Sequence, residues 1–301
     1  MSAHVLTVTF DEAGQRLDVM ITRRLPEEIP SRMFAKRIIE AGRVQLNGKP
    51  CKARDMVQER DQVLVEILFD DYPDERIHPE DIPLDILYED ESLIAINKPS
   101  GMSVHPAAGR YGGTLVNALV HHVQTLSDVN GPKRPGIVHR LDKETSGVIL
   151  AARTNAAHVH LGRQFEQHTI EKRYVALVQG VVQYDEGMIE AGIARHAKYH
   201  DMRRIAREGE EAKEATTYYT VIRRHKGCTL VALFPRTGRT HQLRLHMRHV
   251  GHPILGDDKY GQKGSFPRLA LHAQAIHFVH PLLKEPLEIW APLPEEFREY
   301  A

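Results

Sequence analysis

Between Asp70 and Glu91 ten carboxylates stand against a single base, Arg76, and Pro73, Pro79 and Pro83 interrupt the same run. A segment that repels itself and is broken by prolines makes an extended spacer and builds no core of its own. The 301-residue chain is therefore expected to fold as two domains. The boundaries read as an N-terminal extension over 1–15, a small domain over 16–69, an acidic linker over 70–84 and a large domain over 85–301. The same stretch hides the charge of what surrounds it. The formal net charge is zero, yet from Leu93 to the C-terminus 28 Lys and Arg face 20 Asp and Glu, a surplus of +8 that the acidic run, at −9, conceals. A basic body suits a partner rich in phosphate.

Several function classes fall away on composition. The longest apolar runs, such as Val148 to Ala152, are far short of a bilayer span, and the N-terminus lacks a basic segment followed by an apolar one, so a cytoplasmic protein without membrane contact is expected. Cys51 and Cys228 lie far apart with no Cys-x-x-Cys pair, which points to reduced thiols. Nineteen histidines invite a metal reading. His158 with His160, His196 with His200, and the group His241, His246 and His249 have suggestive spacings, but none forms His-Glu-x-x-His or has cysteine ligands nearby, so no metal is expected. Gly256-Asp257-Asp258-Lys259-Tyr260-Gly261 reads as a tight turn in preference to a divalent-ion loop. With no Walker-type loop and no Gly-x-Gly-x-x-Gly, no cofactor is expected either.

In the small domain, Leu17, Ile21 and Leu25 keep helical spacing until Pro26 and Pro30 close the stretch. Ser31 sits where an N-cap belongs, Phe34, Ile38 and Ala41 follow, and Gly42 supplies the stop, which makes a second short helix. Its outer face presents Arg32, Lys36, Arg37 and Arg43. These are either a binding face or the solvated side of an amphipathic helix. Val44 and Leu46, the hairpin signal Asn47-Gly48, and Val63, Val65 and Ile67 make strands. Val5, Thr7 and Thr9 alternate as an edge strand or a tail.

In the large domain, Leu93 to Ile96 reads as a buried strand, a helical stripe runs from Thr114 to Leu126, and Asn155 to His168 makes another helix. Tyr174 to Val178, Thr217 to Ile222, Thr229 to Phe234 and Ala275 to Val279 read as strands. Strands outnumber helices without alternating with them, which favours an α+β domain with a largely antiparallel, mixed sheet. Glu186 to Lys213 lacks periodicity and reads as a loop or hairpin region. Between apolar strands at Ile137-Val138 and Gly147 to Ala152 lies a polar loop, His139 to Ser146. Its one aspartate, Asp142, has Arg140 and Lys143 beside it in sequence. Two readings stand on these residues: an ionised nucleophile or base, or an Asx-type turn with Thr145 or Ser146.

The loop His139-Arg-Leu-Asp-Lys-Glu-Thr-Ser-Gly147 resembles the catalytic motif of the RluA-type RNA pseudouridine synthases. Asn97-Lys98-Pro99-Ser100-Gly101 with Val104-His105-Pro106, Glu171 to Leu177, and Thr237 to His246 resemble further blocks of that family in the same order. Arg16-Leu17-Asp18, the Ser31 to Gly42 stretch and Asn47-Gly48 resemble the S4 RNA-binding domain, although Arg60-Asp61 stands where that pattern usually has Gly-Asp. The resemblance implies a pseudouridine synthase domain behind a small α/β S4-like domain. It implies Asp142 as the catalytic carboxylate, Arg244 as the arginine pairing with it, and Tyr174 as the ring that stacks on an everted uracil. Arg140 fills the gap left by the nucleotide or holds a phosphate, Leu243 packs on the base edge, and Arg16, Arg32, Lys36, Arg37 and Arg43 bind RNA. The implied partner is 23S ribosomal RNA, met by a monomer that uses no cofactor. A non-catalytic ribosome-assembly factor that binds RNA and a carboxylate-dependent nucleoside hydrolase remain as alternatives.

Overall fold

The computed structural model describes residues 2–68, 77–106, 112–132, 134–199 and 201–301. The chain divides into two compact units, Met1–Glu75 and Arg76–Ala301.

In the first unit, α1 (Leu17–Arg24) and α2 (Arg32–Glu40) cover a four-stranded antiparallel sheet of order β1-β4-β2-β3, with β1 at Ser2–Thr7, β2 at Val44–Leu46, β3 at Lys49–Pro50 and β4 at Gln62–Ile67. Leu17, Ile21, Phe34, Ile38, Val63 and Val65 form its core, as their spacing predicts. The Ser31 hydroxyl accepts from the Phe34 N–H, a cap worth about 1 kcal/mol. Asn47 and Gly48 take φ of 52° and 72°, the pair of left-handed residues that a two-residue hairpin needs. The segment read as an extension is part of this sheet, because β1 pairs with β4 from Ser2↔Ile67 to Thr7↔Gln62. The alternation of Val5 and Thr7 marks its exposed face; Ser2, His4 and Leu6 are half-buried.

Arg60 has φ 71°, so an arginine holds the left-handed conformation for which glycine is the usual residue. The turn survives because the Arg60 N–H donates to the Val8 carbonyl and Asp61 accepts from the Gln58 N–H. Left-handed backbone costs an ordinary residue roughly 1–2 kcal/mol, whereas glycine frees the unfolded chain by about 0.4–1 kcal/mol. Arg60→Gly should therefore raise the stability of this unit by about 0.5 kcal/mol, read as a higher urea midpoint at unchanged slope. A lower midpoint would show that the arginine side chain contributes more than its backbone costs.

The second unit is built on a nine-stranded mixed sheet of order β5-β6-β7-β14-β8-β13-β12-β9, with β15 also paired to β14. The strands are β5 (Ile86–Glu89), β6 (Leu93–Lys98), β7 (Ser146–Ala152), β8 (Glu171–Gln179), β9 (Glu186–Glu190), β12 (Thr216–His225), β13 (Cys228–Pro235), β14 (Leu271–Val279) and β15 (Pro286–Trp290). A separate hairpin pairs β10 (Ile193–Arg195) with β11 (Arg203–Ile205). Every strand pair is antiparallel except β7 with β14. Strands β6 and β7 lie under helices on both faces, and their apolar runs are unbroken for that reason. Ile94, Ile96, Ile149 and Ala151 pack with Leu115, Val116 and Leu119 of α3 (Leu115–His122), while Leu93, Ala95, Val148 and Leu150 pack with Leu161 of α4 (Asn155–Glu166). At Gly147 a Cβ would lie 2.1 Å from the Ala273 carbonyl oxygen, so only glycine admits β14 alongside.

Three expectations need correction. Residues 77–84 do not act as a self-repelling spacer: Ile77 and Leu84 pack on the α3 core, the Glu80 carboxylate accepts from the Gly113 N–H, and the Asn117 amide donates to the His78 carbonyl. Local apolar contacts outweigh dispersed charge there; residues 69–76 of the acidic run lie outside the described residues. The stripe to Leu126 ends as helix at His122, and α4 ends at Glu166, where His168 turns left-handed at φ 57°. The segment from Glu186 is the hairpin region expected, β9 followed by the β10–β11 hairpin, but His196 lies in a loop and not on a helical face; its partner His200 lies outside the described residues.

Candidate active site

A cleft of about 500 Å³ opens beside the ends of β7, β8 and α5 (Gln242–His249). Three of the four sequence blocks supply its lining: Val138 to Asp142 and Thr145, Lys172 and Tyr174, and Thr237 to Arg244. The fourth block, Asn97 to Gly101, stands behind the loop and holds it. Lys98 is fully buried at the end of β6, and its ammonium donates to the carbonyls of Pro99, Met102 and Lys143 at 2.8, 2.9 and 3.1 Å. Burial pulls its pKa down to about 8, against the attraction of Glu144 and Asp142. The Ser100 hydroxyl donates to the Glu144 carbonyl and the Gly101 N–H to the Lys143 carbonyl. His139 belongs to the same frame. Its Nε2 accepts from the Leu150 N–H, its ring stacks on Phe165 at 4.6 Å, and burial holds it neutral by lowering its pKa to about 3.

The turn at Asp142 is closed by backbone and is not the Asx type, whose acceptor would be the carboxylate. The Asp142 carbonyl accepts from the Thr145 N–H, while the carboxylate is left for the cleft. The neighbours that sequence offered it are not the ones it meets. Lys143 pairs with Glu144 at 3.4 Å, and Arg140 sits exposed at the rim. The groups near the carboxylate come from far along the chain: the cation Arg244, through Nη1, and the His241 ring, through Nε2, each lie 3.9 Å from Asp142 Oδ2. Tyr174 lines the cleft half-buried, and burial, aided by the Asp142 charge, raises its phenol pKa so that it stays protonated. Leu243 is buried and lines the wall.

Arg244 reaches Asp142 at 3.9 Å, but its fork is given to a second carboxylate, that of Asp257. Arg244 Nε and Nη2 donate to Asp257 Oδ2 and Oδ1 at 2.8 and 2.6 Å, and both residues are buried. Asp257 also accepts from the backbone N–H groups of Lys259 and Tyr260. Burial pushes its carboxyl up, but Arg244 and these N–H groups outweigh it and hold the pKa below the ordinary carboxylate range. One fork of the guanidinium is thus spent on orientation, and the remaining nitrogen faces Asp142. The loop leading into α5 is fastened by Gln242, which accepts from Thr237 and from the Arg239 N–H and donates to Thr216 and Thr217.

In the first unit, Arg16 and Arg32 both bond the buried Asp18, at 2.9 and 3.0 Å, so part of each guanidinium fixes the fold. Lys36 pairs with Glu40 on the exposed helix face, Arg37 lies over the Phe34 ring at 5.1 Å, and Arg43 is half-buried just before β2. Lys36 and Arg16 line a shallow groove with Lys52 and Arg54. Lys52 and Arg54 went unmarked in the sequence because nothing local distinguishes them from other surface charges, while Asp257 and Tyr260 were read only as part of a tight turn and Lys172 only as part of a matching block, without a role in the site. Among the described residues no group of three or more His, Cys, Asp or Glu is placed to hold a metal ion, and no helix is long and apolar enough to cross a membrane.

A carboxylate in a cleft lined by Arg140, Lys172, Arg239 and Arg244, carried on a mixed sheet in a chain that also has a small α/β unit, suits an enzyme that modifies RNA. The family described as RNA pseudouridylate synthase matches residues 92–249, and the S4 domain matches 15–63. The chain is 40 % identical over 296 residues to an RNA pseudouridine synthase of Bacillus subtilis, covering 98 % of this chain and 95 % of the relative. It is 40 % identical to the ribosomal large subunit pseudouridine synthase D of Xylella fastidiosa (96 % and 89 % covered) and 37 % identical to that of Pseudomonas aeruginosa (96 % and 92 %). Among solved structures it resembles human RNA pseudouridylate synthase domain containing 1, with TM-score 0.59, 28 % identity, and 70 % of this chain and 84 % of that one covered. The chain belongs to the RluA-type RNA pseudouridine synthase family and carries an S4 domain. That membership sets aside the assembly-factor and nucleoside-hydrolase alternatives.

Proposed function

We propose that the enzyme isomerises uridines of large-subunit ribosomal RNA, with Asp142 as the reacting carboxylate. The reaction breaks the N1–C1′ bond, turns the uracil and rejoins it through C5; it consumes no water, redox equivalent or energy donor. It requires an anionic group beside the sugar, a cation to keep that group oriented, an aromatic surface for the base and a means of everting the nucleotide. The observation that carries the assignment is the meeting of Asp142, Arg244 and Tyr174 in one cleft from three separate sequence blocks. Tyr174 stacks on the base, with stacking of this kind worth about 1–3 kcal/mol. Arg140, exposed at the rim, occupies the vacated stack or a phosphate, and Leu243 meets the base edge.

The N-terminal unit, taken as 16–69 together with strand β1, grips structured RNA through Lys36, Arg37 and Arg43, with the outward N–H groups of Arg16 and Arg32. The enzyme acts as a monomer in the cytoplasm, where its substrate is made. Support for ribosomal RNA comes from the relatives named for the large subunit. Pseudouridine mapping in total RNA from cells lacking the protein should show one or more large-subunit sites missing and restored by the intact gene. Loss confined to transfer RNA would overturn the substrate and leave the chemistry standing.

A further inference from the structure

His241 is not consumed by the scheme above, yet its ring is the second group within 3.9 Å of Asp142 Oδ2. It occupies the N-cap of α5 in the left-handed conformation, φ 59°, which histidine tolerates better than most residues. That conformation aims the ring across the turn at Tyr260, whose hydroxyl lies 2.7 Å from His241 Nδ1. The same hydroxyl accepts from the Arg203 N–H at 2.9 Å, so its own proton is left to donate, and Nδ1 is the acceptor in reach. With Nδ1 accepting, the neutral ring carries its proton on Nε2, the nitrogen that faces Asp142.

We infer that His241 is a positioning residue for Asp142, held by Tyr260 as the Nε2–H tautomer so that it and Arg244 together grip Oδ2 and leave Oδ1 as the oxygen that meets the nucleotide. The inference deepens the reading of Asp142 as the reacting carboxylate and rests on it. Both donors stand at 3.9 Å, a span that closes through one water or by a small rotation when substrate enters. The division of labour follows from charge. Arg244 supplies a fixed cation, anchored by Asp257, whereas a neutral imidazole adds direction without further neutralising the carboxylate. Neutrality is secured by the surroundings: burial first, then Arg244 from α5 and Lys259 from the following turn, lower the His241 pKa to about 4 against the pull of Asp142 and Asp257. Tyr260 is itself buried and lies against the Arg244 guanidinium, 5.1 Å from ring centroid to its carbon, so one side chain braces both donors.

The direct test is nitrogen NMR of the full chain labelled in histidine. Its His241 signals, assigned by their loss in His241→Gln, should show Nδ1 unprotonated and Nε2 protonated at pH 7, and Tyr260→Phe should bring in the Nδ1–H form. In single-turnover assays with ribosomal RNA, His241→Phe should lower the rate about tenfold, the effect of one hydrogen bond to a charged group, with RNA affinity unchanged. His241→Gln, which presents an amide N–H near the Nε2 position, should recover most of that loss. An Nδ1–H tautomer in the unaltered protein, or a His241→Phe rate equal to the parent, would overturn the inference. Asp142→Asn run alongside keeps the two ideas apart. If that variant is inactive while His241→Phe is unimpaired, only the role of His241 falls; if it turns over, the reading of Asp142 falls first.

Discussion

Asp142→Asn should give a chain that folds, binds its RNA and forms no pseudouridine, with the rate down by about 10⁴-fold or more, the scale set by loss of a nucleophile or general base. The substitution keeps shape and removes charge and nucleophilicity. Because the turn around Asp142 is closed by its backbone carbonyl, the loop loses no hydrogen bond. Lys98, Ser100 and Gly101 hold that loop through carbonyls, which are also untouched. Circular dichroism and RNA affinity should therefore match the parent while product formation, followed by release of a C5 label from the uracil, vanishes. Retained turnover would sink the assignment of Asp142.

Asp257→Asn should destabilise the catalytic unit by about 3–5 kcal/mol, since removing one member of a buried ion pair strands the other charge. Arg244 is 5 % exposed, so its guanidinium cannot escape to water without moving α5. The same pair sets an acid limit on stability. The Asp257 pKa is depressed in the folded state, so its contribution is fully present above the unfolded carboxylate value of about 3.9 and disappears as pH falls through the lower folded value. Urea midpoints of the parent should therefore drop on acidification below about pH 4, and the drop should be shallower in Asp257→Asn. Activity should fall with stability, because Arg244 loses its orientation toward Asp142. A variant as stable as the parent at pH 7 would mean that the buried guanidinium finds another acceptor.

Much of the molecule was legible without coordinates. The helices of the first unit followed from Leu17, Ile21, Phe34 and Ile38 at helical steps and from Ser31 as a cap, and its hairpin followed from Asn47-Gly48. The Asp142 loop stood out because apolar residues bracket it, although only the second bracket is a strand, β7; the strand expected at Ile137-Val138 is a single bridge from Ile137 to Ala151. What failed did so for stated reasons. Residues 77–84 were read by charge, yet Ile77 and Leu84 decide where they go. Val5 and Thr7, by contrast, do lie on an edge strand, β1, one of the two readings their alternation allowed, and on its exposed side.

Local order along the chain, then, determined the secondary elements, the family and the loop bearing the reactive carboxylate, because turn chemistry, capping and periodicity act over a few residues. The partners of that carboxylate were decided only by the tertiary structure. Asp257 and Asp258 are indistinguishable in sequence, and packing alone buries the first against Arg244. Likewise Tyr260 and His241 meet only because the turn after α5 folds back onto its own start. Pairings across 13, 19 and about 100 residues depend on how strands and helices stack, and no short-range preference encodes that.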